Sequence, residues 1–124
     1  MCGACGRTTV ADPALGAART LRQHLIVAGA VNGMCHGLRG APKVTALADG
    51  WMLSGPSGAT RQCQTVEELW RAVIERFGGA EQLIRLRRRQ EAFAIDPDNA
   101  GLPSRVAGIG RTLASTAAWQ AKVN

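Results

Sequence analysis

The chain contains no tyrosine, only two phenylalanines, two histidines and two lysines. Each shortage removes a class of function. Without tyrosine and with so few aromatics there is no RNP-type stacking platform of the kind that single-strand-binding sheets use. Two histidines, with no HExxH, no Walker-type loop and no serine at a nucleophile elbow, leave no residues for a catalytic triad or a hydrolytic metal centre. The sequence therefore predicts a protein that is not an enzyme. No apolar stretch exceeds the seven residues Leu25–Val31, far short of the ~20 that span a bilayer. A basic, then apolar, leader is also missing, so the expectation is a cytoplasmic protein with no membrane partner.

What is present is ordinary globular composition. Hydrophobic residues make up 46% and charged residues 19%, which argues against disorder. A length of 124 residues fits a single domain. Thirteen of the fifteen cations are arginine, and the formal charge is +6. The charge is uneven: residues 1–43 carry +4, residues 44–79 carry −1 and residues 80–124 carry +3. Basic ends of this kind attract polyanions.

Periodicity divides the chain into a cysteine turn at 1–6, a helix over 12–34, a β meander over 43–64, and helices over 65–79, 80–94 and 103–122. Asp12-Pro13 has the form of an N-cap followed by proline at the first helical position. Leu21, Leu25, Ala28 and Val31 then form an inward stripe, widened by Ile26 and Ala30. Asp49-Gly50 fits the centre of a two-residue hairpin turn. Ala46 and Leu53 share one face of the meander and Leu47 and Met52 the other, which leaves the register open. Thr65-Val66-Glu67-Glu68 is a capping box. Val66, Leu69, Trp70, Val73, Ile74 and Phe77 supply a full apolar face behind it. In the third helix Leu83, Leu86 and Phe93 face inward, and in the fourth Val106, Ile109, Leu113 and Ala117 do so. The predicted fold is α+β: about four helices packed on a small three-stranded antiparallel meander, with an N-terminal CxxC metal knuckle.

Two constellations carry chemistry. The first is Cys2-Gly3-Ala4-Cys5-Gly6, a CxxCG turn that can aim two thiolates at one tetrahedral zinc ion. Structural zinc needs four ligands. Cys35 and His36 are the first candidates for the other two, with His24 and Cys63 as substitutes. No second CxxC completes the pattern. A four-cysteine iron–sulfur site from Cys2, Cys5, Cys35 and Cys63 is a lesser alternative. A thioredoxin-like site is disfavoured, because no strand precedes Cys2. The second constellation is Arg85, Arg88 and Arg89, spaced i, i+3, i+4 to line one helix face and contact phosphates. Glu81 stands at i−4 to Arg85. Together these predict a small zinc-stabilised binding module that contacts nucleic acid or a ribonucleoprotein through arginines. The alternatives are a protein–protein adaptor carrying the same knuckle and a thiol-based redox sensor.

Overall fold

In a computed structural model of the chain, residues 12, 14–15, 19–55, 58–77, 80–95 and 101–123 are described, with side chains through residue 117. The Cys2–Cys5 turn lies outside them. Four helices and a three-stranded antiparallel sheet follow in the order α1 (Leu21–Cys35), β1 (Lys43–Leu47), β2 (Gly50–Ser54), β3 (Thr60–Cys63), α2 (Val66–Arg76), α3 (Ala80–Ile95) and α4 (Leu102–Val123). The sheet order is β1-β2-β3. α1 packs on β1 and β2, α2 on β2 and β3, and α4 contacts all three other helices.

α1 begins later than the Asp12-Pro13 signal implies. Its N-cap is Thr20, whose hydroxyl accepts from the Gln23 N–H while the Gln23 side chain accepts from the Thr20 N–H. This Thr-x-x-Gln box satisfies two of the orphan donors at a helix start. Asp12 serves a different helix. It is buried, and its carboxylate accepts from the N–H of Ala14 at 3.0 Å and from that of Val66 at 2.7 Å. Val66 opens α2, so Asp12 places negative charge at that helix's positive end. Thr65 adds the local cap, accepting from the Glu68 N–H.

The inward stripe of α1 is also rotated from its expected position. His24, Val27, Ala28, Val31, Met34 and Cys35 are buried, whereas Leu21, Leu25 and Ile26 are exposed. The pattern of leucines misleads because the buried face of α1 is set by the sheet, α3 and α4 against which it packs, and not by the helix's own spacing. Asn32 stands at the edge of this face and bonds both backbone groups of Val44: its Nδ2 donates to the Val44 carbonyl at 2.8 Å and its Oδ1 accepts from the Val44 N–H at 2.9 Å.

The register pairs Val44 with Leu53, Ala46 with Trp51, Leu47 with Gly50 and Trp51 with Cys63. Val44, Trp51, Leu53 and Cys63 thereby share the buried face. The β1–β2 loop is Ala48-Asp49, one residue earlier than expected, and Gly50 is the first residue of β2. Gly50 is required for space, not for a left-handed turn: a Cβ there would lie 2.2 Å from the carbonyl oxygen of Cys63. In α2, Val66, Leu69, Trp70, Ala72 and Val73 are buried, and the Trp70 indole donates to the Val106 carbonyl of α4 at 2.8 Å. The inward face of α4 is Val106, Ala107, Gly110 and Ala114, with Ile109 and Leu113 only partly covered.

Candidate nucleic-acid interface

α1 ends at a turn that four observations single out. His36 caps the helix, its N–H bonding the Gly33 carbonyl. Gly37 and Gly40 take φ of 80° and 79°, a region glycine enters without a Cβ clash, and they fold the chain back toward β1. The Leu38 N–H returns to the Cys35 carbonyl at 3.1 Å. Finally, Arg89 reaches across from α3, and its Nη1 donates to the carbonyls of Met34 (3.3 Å) and His36. A cation at a helix C-terminus offsets the partial negative charge of the last carbonyls.

Two open clefts flank this turn. One, about 450 Å³, is lined by Gly33, Met34, His36, Arg89, Ala92 and Phe93. The other, about 480 Å³, includes Asn32, Cys35, His36, Gly37, Pro42 and Lys43 in its lining. His36 belongs to both, and among the described residues each lining has one cation, Arg89 or Lys43, and no carboxylate.

The three arginines singled out by spacing have separate fates. Arg85 pairs with Glu81 at 3.2 Å across one helical turn, an exposed contact worth ~0.3–0.5 kcal/mol. Arg89 holds the His36 turn. Arg88 is exposed and, among the described residues, forms no ion pair, as is also true of Arg87, Arg39 and Lys43. Sequence reasoning missed Lys43 and Phe93 as companions of His36. Lys43 opens a strand and Phe93 follows the arginine run, and nothing local links either to residue 36.

The metal candidates are not assembled among the described residues. They contain no group of three His, Cys, Asp or Glu side chains able to hold an ion, and Cys2 and Cys5 lie outside them. Cys35 is buried while its neighbour His36 is exposed, which separates them as a ligand pair. His24 is fully buried with both ring nitrogens engaged. Nδ1 lies 2.8 Å from the Leu47 carbonyl, and Nε2 lies 3.2 Å and 3.1 Å from the Arg19 guanidinium nitrogens Nε and Nη2. A carbonyl only accepts and a guanidinium only donates, so these contacts specify the neutral imidazole with its proton on Nδ1. That leaves no nitrogen lone pair for a metal.

Cys63 is buried on the inner face of the sheet, and burial raises its thiol pKa, with Glu68 adding to the rise and Arg61 and Arg76 opposing it. For Cys35, burial pushes the thiol from 9.0 up to about 12 against the opposing pull of Arg89. Both groups favour the thiol over the thiolate that zinc and oxidants require. The folded Cys35 keeps its proton where the unfolded chain would lose it. Its contribution to stability is therefore complete below about pH 9 and is lost as pH rises toward 12, by a few kcal/mol in order of magnitude. Denaturant titrations from pH 8 to 11 should show stability falling, and Cys35→Ala should flatten that limb. An equally steep limb in the variant would assign it elsewhere.

No family model matches the chain, and neither the curated proteins nor the solved structures include a match. Among the described residues, no helix is long and apolar enough to cross a membrane.

Proposed function

We propose that this protein is a non-enzymatic binding module that contacts the phosphates of a nucleic acid with the basic surface of α3 and the His36 turn. The observation that carries this reading is the distribution of uncompensated charge. Ion pairs take up Arg61, Arg71 and Arg85. Among the described residues, Arg87, Arg88, Arg39 and Lys43 stand exposed without one, and the linings of the two clefts at His36 have cations and no acid. Glu91 lies one turn from Arg87 and moderates the field of α3 without pairing with it. Arginine and lysine on such a surface release counterions from a phosphate backbone, which makes binding salt-dependent.

Fluorescence anisotropy with labelled oligonucleotides between 50 and 300 mM salt (roughly the range over which counterion release is resolved) tests the proposal. Each phosphate contact contributes ~0.7 to the log–log salt slope for single strands and ~0.9 for duplex. Arg88→Ala and Lys43→Ala should each reduce the slope by about one contact. Absent or salt-insensitive binding would overturn the reading.

We also propose a structural zinc ion at Cys2 and Cys5, supported by their CxxCG spacing alone. Elemental analysis of protein purified without added metal should then find zinc that disappears in Cys2→Ser. Retention in Cys35→Ser would agree with the buried, protonated Cys35 thiol, and loss there would make Cys35 a third ligand. Protein free of metal would remove the knuckle.

A further inference from the structure

We propose that the His36 turn is a single-strand site that seats two successive nucleotides, one in each cleft, with the His36 imidazole between their bases. This rests on the phosphate-binding reading and extends it to strandedness, register and a stacking residue.

The two clefts are nearly equal, about 450 and 480 Å³, and fall within the ~300–1,000 Å³ typical of small-molecule sites. Both linings include His36, an exposed residue. A repeating ligand with one flat group per unit suits two matched recesses that have one planar residue in common. Each recess also contains one cation for one phosphate. Arg89 spends Nη1 on the α1 carbonyls, and a guanidinium has five N–H donors in all, so donors remain for an anion.

The first cleft adds Phe93 and Met34, apolar surface for a base face, and the second adds Pro42. The lack of tyrosine thus does not leave the site without a stacking surface: histidine and phenylalanine supply it. Base selection is not expected. The most obvious base-reading side chain, the Asn32 amide, is already committed to both backbone groups of Val44, and stacking accepts any base. A duplex, whose bases are stacked and paired inside, cannot enter either recess.

The test compares a labelled 20-nucleotide oligo-dT, the same length of duplex, and the variants His36→Ala and His36→Phe. Single strands should bind more tightly than duplex. His36→Ala should weaken single-strand binding about tenfold at an unchanged salt slope, because stacking releases no counterions, and His36→Phe should restore it. His36 is exposed, so the melting temperatures of both variants should match that of the parent, and the comparison does not depend on a folding defect. Equal affinity for duplex and single strand, or no loss in His36→Ala, would overturn the two-nucleotide site while leaving phosphate binding in place. Binding to neither nucleic acid would overturn both.

Discussion

Gly110→Ala is expected to destabilise the protein by about 3 kcal/mol, while Gly108→Ala in the same helix stabilises it by ~0.5–1 kcal/mol. The contrast follows from what a methyl group meets. At 110 the new Cβ would stand 2.3 Å from Cε2 and 2.7 Å from Cδ2 of Trp70, and 2.6 Å from Nε2 of Gln90; at 108 nothing lies within 4 Å. Trp70 cannot yield easily. It is fully buried, and its indole N–H is bonded to the Val106 carbonyl. Gln90 is buried with neither amide atom partnered among the described groups, so its side chain is the softer neighbour but has nowhere solvated to go. The methyl therefore has to push α4 away from α2. Thermal unfolding of the two variants checks this directly, and shifts of the same sign would show that backbone entropy, not space, governs both positions.

The second large effect is expected at Trp51. Trp51→Ala should cost ~3–5 kcal/mol, the usual range for emptying a buried aromatic site. Trp51→Phe should cost about 1–2 kcal/mol, for the lost indole hydrogen bond and the smaller ring in a fully buried site. The indole N–H donates to the His24 carbonyl at 2.9 Å. The ring meets the His24 imidazole edge-on at 4.9 Å between centroids, and the Arg19 guanidinium carbon sits 5.5 Å from the ring centroid. Trp51 thus fastens β2 to α1 through backbone, ring and cation at once, while His24 fastens α1 to the end of β1 at Leu47. Urea titrations should show both losses. Indifference to Trp51→Phe would mean that the hydrogen bond to His24 adds nothing beyond the packed area.

Much of this architecture is legible in the residue pattern. Val66, Leu69, Trp70 and Val73 announce α2 because an amphipathic helix with a local cap needs no distant information. The split of Ala46 and Leu53 from Leu47 and Met52 survives in the observed register. Failures occur where a distant partner decides. Asp12 resembles the cap of the nearest helix, but its carboxylate belongs to α2, 54 residues away. Leu21 and Leu25 satisfy helical spacing, yet the buried face of α1 is chosen by its distant neighbours, the sheet, α3 and α4. The Asp-Gly pair suggests a turn centre, whereas the contact that demands glycine at 50 is the oxygen of Cys63 on another strand. The candidate site divides in the same way. Three arginines share a spacing, but an acid one turn away engages Arg85 and a helix end engages Arg89, which leaves Arg88 without an ion pair among the described residues. His36 appears in the sequence as a metal ligand beside Cys35; Phe93 and Lys43, which line clefts with it in the fold, come from two other elements.

Asn32 has a consequence for the company the protein keeps. Its side-chain amide offers Val44 the same donor and acceptor that a neighbouring strand would, a single rung of a ladder that goes no further. An open sheet edge is a template on which any extended chain can lengthen the sheet. The β1 margin is stoppered at Val44, near its start, by a residue of a helix, and such a plug cannot propagate. The opposite margin, β3, displays Thr60, Arg61 and Gln62, all exposed, so a strand arriving there meets an arginine that is already paired with Glu75. These two margins disfavour edge-to-edge association and so favour separate copies of the chain.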